Sequence, residues 1–235
     1  MIKKIRMKKQ TNFSTPIKCI IFSFICVSLT IFILNRSSLY QLCKPTQKNT
    51  NYTQYGIRFL DHLEYNIPAD QIPKGQEILA QNPAIVRSLE YYQPLIEAHY
   101  QAPVDVHYIN DQIGYGVFAL KNIQPGQMIG EYTGIVRRVN FSKQGSDYDY
   151  AWGFPKPTKY LVDAKDAGND MRFINHSYRP NVEMIFVPDK AQRLHLIYVA
   201  NQPIKKGQQL LSNYGKPYWA GRKNIPVQWL NESEE

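Results

Sequence analysis

One polar and aromatic segment, residues 168–177 (GNDMRFINHS), constrains this chain more than any other part of it. Pro180-Asn181 follows it closely, and Asn213-Tyr214-Gly215 lies further along the chain. Each piece alone says little, because a lone Asn-His pair is most often a polar loop and Asn175-His176-Ser177 also fits a glycosylation sequon. Their occurrence together is more specific than any one of them.

Three further pieces precede this segment: Gly114-Tyr115-Gly116-Val117, then Glu131-Tyr132-Thr133-Gly134, then Tyr160-Leu161-Val162-Asp163-Ala164. A Gly-x-Gly pair by itself is usually only a turn. In this order and at these distances, the whole set resembles the SET-domain family of protein-lysine N-methyltransferases. The resemblance covers Val104 to Trp219.

The resemblance implies an α+β, β-rich fold built from several small curved sheets. It also implies that the C-terminal segment passes through a loop beside Asn175, a threaded (pseudoknot) topology that is rare among protein folds. Such threading would bring Tyr214 close to Asn175.

Short β-prone runs separated by turn residues support a β-rich domain from residue 104 onward. The predicted strands cover 104–109, 117–120, 128–139, 160–162, 182–187 and 194–200. Two similar turns, 123–127 and 204–208, each carry a glycine suited to a positive φ angle. Before this domain, the apolar spacing in 76–92 predicts one or two short helices, interrupted at Pro83.

By resemblance, Tyr214 is the catalytic tyrosine at the point of methyl transfer, and Tyr148 is a tyrosine near both cofactor and lysine, with Tyr150 as an alternative register. Asn175 would contact the methionine end of the cofactor and His176 the adenine through its backbone. The implied cofactor-binding residues are Gly114, Tyr115, Gly116, Tyr148, Arg172, Asn175, His176 and Trp219, with Tyr218 as an alternative to Trp219 for stacking on the adenine. The implied substrate channel contains Phe173, Tyr198 and Ser212.

Each aromatic residue also has a simpler interpretation. Tyr214 could be a turn tyrosine in a chain with 17 tyrosines, and Tyr198 could belong to the core. Two departures from the family pattern affect the product. Ser212 stands where many relatives carry Phe or Tyr, and Tyr178 replaces a Cys. Ser212 would leave room for a more highly methylated lysine unless a neighbouring aromatic side chain fills that space.

The implied cosubstrate is S-adenosyl-L-methionine, and no metal is expected. The three cysteines, Cys19, Cys26 and Cys43, all precede the predicted domain. The domain therefore has neither an internal disulfide nor the Cys-rich zinc clusters that flank many histone-directed SET domains. The scattered histidines suggest no ligand set either.

The N-terminal part divides into a basic flank (1–18), an apolar segment (19–36) and a polar linker (37–55). The apolar segment is slightly shorter than the roughly 20 residues that span a bilayer, so it predicts either an N-terminal apolar helix acting as a transmembrane anchor or a cleaved signal segment. The protein would then be membrane-anchored or exported. A short helical pre-domain (56–103), the SET domain (104–219) and a C-terminal tail (220–235) complete the chain.

The net charge of +9 does not indicate nucleic-acid binding. Six of the 28 Lys and Arg residues precede Cys19, which leaves 22 against 19 acidic residues and a net charge of +3. The chain from Cys19 onward is therefore only mildly basic and lacks the electrostatic footprint of a nucleic-acid-binding protein. The expected partner is a lysine-containing protein, with a histone or a host protein as candidates. The alternative is a catalytically inactive SET-like module that binds a lysine-bearing partner.

Overall fold

Short strands and tight turns make up most of this computed structural model, which describes residues 52–81, 89–140, 145–219 and 222. The strands within these ranges are β1 (Arg58–Phe59), β2 (Glu64–Tyr65), β3 (Val104–Asn110), β4 (Gly114–Ala119), β5 (Met128–Glu131), β6 (Ile135–Arg138), β7 (Ala151–Gly153), β8 (Tyr160–Asp163), β9 (Ala167–Gly168), β10 (Asn175–His176), β11 (Val182–Pro188), β12 (Leu194–Ala200) and β13 (Leu211–Ser212). The helices are α1 (Gly75–Gln81), α2 (Leu89–Glu97) and α3 (Lys216–Trp219), with 3-10 turns at Tyr52–Tyr55, Ala69–Gln71, Gly145–Tyr148 and Asp170–Phe173.

These strands form several small sheets rather than one large sheet. The described sheets have the strand orders β2-β6-β8-β7, β11-β12-β5, β3-β4, β1-β9 and β10-β13. The last two are parallel pairs of two-residue strands, whereas the β3-β4 and β11-β12 hairpins are antiparallel. The predicted α+β, β-rich fold of small sheets is confirmed.

The predicted strand 128–139 is wrong as a single element, because it divides into β5 and β6 at Tyr132–Gly134. Close packing fixes the chain here: a Cβ on Gly134 would lie 2.6 Å from the carbonyl oxygen of Asp163. β5 then pairs with β12, while β6 pairs with β8 in another sheet. One apolar run therefore supplies two sheets and turns the chain between them.

The two similar turns predicted from sequence lie side by side. Ile123 and Ile204 exchange backbone hydrogen bonds of 2.8 and 2.9 Å. Gly126 and Gly207 have φ angles of 82° and 86°, which confirms the need for glycine at both positions. This pairing joins the start of the domain to the segment that leads into β13.

The C-terminal segment lies between β4 and β10 and is hydrogen-bonded to both. On one side, the backbone N–H of Leu210 donates to the carbonyl of Val117 at 2.8 Å. On the other, β13 pairs with β10 in parallel, with Asn175 opposite Leu211. This arrangement brings the Asn175 region and Tyr214 together, as predicted.

The segment predicted as a short helical pre-domain contains α1 and α2 and also two short strands. β1 and β2 pair in parallel with β9 and β6 of the domain that follows. α2 extends beyond the predicted helical region to Glu97 and contains Pro94. The segment therefore shares sheets with the residues predicted as the SET domain.

A continuous apolar core joins the two antiparallel hairpins to the C-terminal segment. Val117, Ile129, Leu196 and Leu210 are fully buried within it. Burial of side chains of this size contributes about 1.5–3 kcal/mol each. The core thereby fixes the strands that carry the residues of the site.

Several N-terminal predictions lie outside the described residues: the basic flank, the apolar segment 19–36 and most of the linker. The end of the predicted linker is corrected, because Tyr52–Tyr55 form a 3-10 turn in which Tyr52 is buried. Apart from Arg222, the tail 220–235 also lies outside. Among the described helices, none has the length and apolar character needed to cross a membrane.

Candidate active site

A cavity of about 330 Å³ opens between β7, β8 and the C-terminal helix α3. Aromatic side chains dominate its wall. Its lining residues are Tyr132, Val139, Tyr148, Asp149, Ala151, Trp152, Gly153, Leu161, Arg172, Ile174, Tyr198, Tyr214, Pro217, Tyr218 and Arg222. Of the residues predicted for the site, Tyr148, Arg172, Tyr198 and Tyr214 therefore meet at one cavity.

Tyr214 is held in this wall by both its backbone and its side chain. Its hydroxyl donates to the carbonyl of Ile174 at 2.6 Å, and its backbone N–H donates to Nδ1 of His176 at 3.1 Å. The following residue, Gly215, has a φ angle of 80° and donates to the side chain of Asn213, so a tight turn ends the segment. Burial raises the pKa of Tyr214 well above 10, so its hydroxyl is neutral at physiological pH.

Tyr198 and Trp152 occupy the space beside the small Ser212. Tyr198 is 1% exposed, and its hydroxyl forms hydrogen bonds with the side chains of Ser212 and Trp152. Burial raises the pKa of Tyr198, which these hydrogen bonds partly offset. The Trp152 ring also lies 6.4 Å from the rings of both Tyr198 and Tyr214. The Tyr198 hydroxyl thus faces the small Ser212, and Trp152 packs against the rings of Tyr198 and Tyr214.

Asn175 and the glycine turn come together outside this cavity. The Asn175 side chain donates to the carbonyl of Tyr115 at 2.9 Å. Gly116 permits this approach, because a Cβ there would lie 3.2 Å from Nδ2 of Asn175 and 2.6 Å from Nε2 of Gln209. Gly114 has a different role: its φ angle of 78° closes the β3-β4 turn, and nothing lies within 4 Å of its Cβ direction.

Arg172 lies between the cavity and the residues around Asn175 and Tyr115. Its guanidinium donates to the carbonyls of Ala164 and Lys165, and it lies over the rings of Tyr150 at 3.9 Å and Phe173 at 4.8 Å. Arg172 is only 8% exposed, yet it lines the cavity. These contacts place one buried cation between the cavity and the ring of Phe173.

The two tyrosines considered for one role, Tyr148 and Tyr150, have different surroundings. The Tyr148 ring lines the cavity, but its hydroxyl donates to the carbonyl of Asn140 at 2.5 Å and accepts from the backbone N–H of that residue. Tyr150 lies under Arg172, and its carbonyl accepts from the hydroxyl of Tyr132 at 2.7 Å. Of the two tyrosines, Tyr150, the alternative register, is therefore the one that contacts Arg172.

His176 and Trp219 pack behind Tyr214. The His176 ring is fully buried, 4.8 Å from the Trp219 ring and 5.3 Å from the Tyr214 ring. Trp219 lies parallel to Tyr214 at a ring distance of 6.3 Å. His176 and Trp219, both predicted to bind the cofactor, thus also have side chains that support Tyr214 at the cavity.

Sequence reasoning missed several residues of the cavity. Tyr132 appeared only as part of a quoted strand end, and no sequence signal identified Trp152. At the mouth, the guanidinium of Arg222 bonds the carboxylate of Asp149 at 2.5 Å and lies 3.7 Å above the ring of Tyr218. These side chains come from segments that only the tertiary fold brings together.

A second cavity, of about 380 Å³, surrounds His195 on another part of the domain. His195 Nδ1 lies 2.6 Å from Glu131, and its Nε2 lies 3.4 Å from Asp189. Within the described ranges, no group of three or more His, Cys, Asp or Glu side chains is arranged to hold a metal ion.

Comparison with known proteins places this arrangement in a family. The SET-domain profile matches residues 114–215. Histone-lysine N-methyltransferase 2B of Homo sapiens is 34% identical over 118 residues, which are 48% of this chain and 4% of that protein. Histone-lysine N-methyltransferase Su(var)3-9 of Drosophila melanogaster is 26% identical over 152 residues, which are 58% and 23% of the two chains. The chain thus corresponds to a small part of these relatives.

A solved structure supports the fold over a larger share of the chain. The crystal structure of ATXR5 in complex with histone H3.1 mono-methylated on R26 has a TM-score of 0.54 and 18% sequence identity. The match covers 75% of this chain and 87% of that one. Residues 114–215 therefore form a SET domain, as the family resemblance predicted.

Proposed function

We propose that this protein transfers methyl groups from S-adenosylmethionine to the ε-amine of lysine in a protein substrate. The observation that carries the proposal is the position of Tyr214. Its neutral hydroxyl is fixed by the carbonyl of Ile174 and lies in a cavity walled by Tyr198, Tyr132 and Trp152. Such a site can accept an extended side chain and hold its terminal nitrogen beside a polar atom.

The aromatic wall addresses the main difficulty of this reaction, which is to present lysine as a neutral amine. Lysine in water has a pKa near 10.4, so deprotonation near pH 7.4 costs about three units, or roughly 4 kcal/mol. A cavity lined by tyrosine and tryptophan rings removes water from the ammonium group and lowers its pKa. The neutral hydroxyls of Tyr132, Tyr198 and Tyr214 add no negative charge that would counteract this effect.

Tyr214 orients the amine rather than acting as a strong base. Its O–H is donated to Ile174, so the lone pairs of the oxygen are available to accept a hydrogen bond from the amine. This interaction directs the nitrogen lone pair, and correct alignment accounts for much of the catalysis of such in-line transfers. The proton released by the ammonium leaves to solvent through the open mouth of the cavity.

The described residues fit the cofactor. Arg172 offers a cation for its carboxylate, Asn175 and the Tyr115 backbone offer polar contacts, and the lack of a side chain at Gly116 leaves the backbone open to close approach. When bound, S-adenosylmethionine supplies the methyl group, whose carbon–sulfur bond breaks as the bond to the lysine nitrogen forms. Phe173 and Arg172 exclude water from one side of this region.

The curated relatives are named as histone-lysine N-methyltransferases, which makes a histone the first substrate to test. A host protein is the second, because the apolar segment 19–36 supports anchoring at a membrane or export. Fractionation of cells that express the tagged chain, with and without residues 1–36, tests whether this segment directs the protein to a membrane or out of the cell.

The experiment that tests the function is incubation of the purified chain with methyl-labelled S-adenosylmethionine, histones and cell lysates, followed by peptide mapping. We expect label on lysine residues of one or a few proteins. A folded chain that binds the cofactor but labels no protein would favour the alternative, a SET-like module that only binds a lysine-bearing partner. A Tyr214→Phe chain in parallel shows whether the label depends on this site.

A further inference from the structure

A turn that precedes the SET-domain match packs directly on Tyr115, which is assigned to the cofactor, and on Phe173, which is assigned to the substrate channel. Within the 3-10 turn Tyr52–Tyr55, the ring of Tyr55 lies 4.9 Å from the ring of Tyr115 and 4.9 Å from that of Phe173. The rings of Tyr115 and Phe173 are themselves 5.7 Å apart. The three rings therefore form a closed cluster of mutually packed aromatic side chains.

This turn is held in place by a buried carboxylate. Asp170 is 1% exposed, and it accepts hydrogen bonds from the hydroxyl of Tyr52 at 2.5 Å and from Nε2 of Gln101 at 2.6 Å. A buried carboxylate with two donors forms strong hydrogen bonds, and loss of one donor is costly. Tyr52 is thereby attached to the 3-10 turn Asp170–Phe173, which directly precedes Ile174 and Asn175.

Backbone pairing fixes the same segment on its other side. β1 pairs in parallel with β9, and the N–H of Leu60 donates to the carbonyl of Gly168 at 3.0 Å. Tyr55 lies between these two attachments. The segment that carries Tyr55 is thus held by hydrogen bonds on both sides of this residue, which fixes its contact with Tyr115.

Tyr55 supports both groups that the proposed function assigns to the methionine end of the cofactor. On one side it packs on Tyr115, whose carbonyl accepts from Asn175 at 2.9 Å. On the other it packs on Phe173, which lies 4.8 Å from the guanidinium of Arg172. A shift of either ring would move the polar group next to it.

We propose that Tyr55 is a positioning residue of the S-adenosylmethionine site, an inference that rests on the proposed function. Its ring holds Tyr115 and Phe173 so that Asn175 and Arg172 face the cofactor. The segment upstream of the matched domain, residues 52–60, thereby completes a binding site that residues 114–215 alone do not contain.

The test is calorimetric titration of the full chain with S-adenosylhomocysteine, the product form of the cofactor. Tyr55→Ala should weaken binding on the order of tenfold, because two aromatic contacts are lost. Tyr55→Phe should bind nearly as the wild type, because the contacts are made by the ring. Tyr91→Ala is the matched control: it removes a partly buried ring on α2 that packs on Tyr92 at 5.0 Å, in a core cluster that does not include Tyr115 or Phe173.

Two further measurements separate positioning from general stability. The thermal midpoint of Tyr55→Ala should fall no further than that of Tyr91→Ala, while methyl transfer at saturating cofactor stays near the wild-type rate. If Tyr55→Ala fails to fold, Tyr52→Phe provides the second test, because it keeps the ring and removes only the hydrogen bond to Asp170. We expect weaker cofactor binding for this variant too.

The outcomes are distinguishable. Wild-type affinity in Tyr55→Ala, or in Tyr52→Phe when the first variant is unfolded, would overturn the role of this segment and leave the proposed function intact. Equal losses of cofactor affinity in Tyr55→Ala and Tyr91→Ala would also overturn it, because they would indicate a general loosening of the fold. A folded wild-type chain that binds no S-adenosylhomocysteine would refute both proposals.

Discussion

The backbone N–H of Tyr214 donates to Nδ1 of His176, which fastens the C-terminal turn to a segment 38 residues earlier. The sequence predicted that His176 serves the cofactor through its backbone. In the structure its buried ring also holds Tyr214 and packs against Trp219. This bond requires an unprotonated Nδ1, so it depends on the tautomer as well as the position of the imidazole.

Tyr214→Phe should slow methyl transfer on the order of a hundredfold or more, about 3 kcal/mol of transition-state stabilisation, and leave cofactor affinity nearly unchanged. The change removes the hydroxyl that orients the amine but keeps the ring in the cavity wall. Single-turnover transfer to a lysine peptide measures the loss, with calorimetry in parallel.

Tyr92→Phe is the matched control for this variant. It removes a comparable hydrogen bond, from the Tyr92 hydroxyl to the carbonyl of Gly126 at 2.9 Å, in a part of the core remote from the cavity. We expect its transfer rate to match the wild type. A Tyr214→Phe enzyme as fast as Tyr92→Phe would show that Tyr214 is purely structural.

Asn175→Ala should weaken cofactor binding by about 1–3 kcal/mol, because a polar partner in a partly buried site is lost and the carbonyl of Tyr115 loses its donor. Isothermal titration calorimetry provides the measurement. The control is Asn122→Ala, which removes an exposed Asn side chain that accepts from the backbone of Lys206 at 2.9 Å. An unchanged dissociation constant for Asn175→Ala would exclude this residue from the site.

Asn181→Ala should disturb assembly of the site rather than the cofactor contacts. Its side chain donates to the carbonyl of Gln209 and accepts from the N–H of Leu211, both at 2.8 Å. Loss of these two bonds should lower the free energy of unfolding by about 1–3 kcal/mol and slow transfer. Denaturation curves and transfer rates, compared with those of Asn175→Ala, check this difference. Unchanged stability would mean that the backbone pairing of β10 with β13 holds this segment in place without the Asn181 side chain.

The sequence predicted most of the longer strands because their apolar runs and turn residues are local signals. The short strands were not predicted, since β9, β10 and β13 are two residues long and exist only through tertiary pairing. Tyr214, Tyr198 and Arg172, for which the family resemblance implies site roles, line one cavity. Tyr55 did not stand out, because it lies before the matched region and its ring partners, Tyr115 and Phe173, come from distant parts of the chain.

His195 gives the domain a proton-dependent link between β5 and the β11-β12 hairpin. It lies between the buried carboxylates of Glu131 and Asp189, with Arg193 bound to Asp189 and Tyr65 in the same cavity wall. Burial lowers the pKa of His195, but the hydrogen bond and charge of Glu131, with those of Asp189, raise it to a net value above 6.5. The protonated imidazole therefore stabilises the fold.

Stability should consequently fall as the pH rises. A group whose folded pKa is raised contributes fully below its unfolded value of 6.5, and the contribution is lost as the pH passes its folded pKa. The pKa of Asp189 is lowered, so this carboxylate stays charged throughout that range. Urea unfolding between about pH 6 and pH 9 measures the slope. The slope should be flatter in His195→Gln, and an identical slope in both proteins would contradict the link.

A fragment of residues 46–235 should be soluble and should fold without added metal. The described residues, including Tyr52 and its bond to Asp170, all lie within this fragment, and the apolar segment does not. Circular dichroism melting with and without a chelator provides the measurement. Loss of the unfolding transition after chelator treatment would show that a metal supports the fold.

The position of the C-terminal segment between β4 and β10 also determines when the site comes into existence. Ribosomes synthesise the chain from the N-terminus, so the strand partners at Val117 and Asn175 emerge well before Leu210 and Tyr214. Until then the carbonyl of Val117 lacks the donor it has in the finished fold, and Tyr214, the proposed catalytic residue, is missing. A nascent chain, or one that ends prematurely before Gln209, would lack Tyr214 even if all its earlier strands had formed. The proposed methyl transfer therefore requires synthesis at least through Tyr214, and activity would report that this segment has been made and has folded.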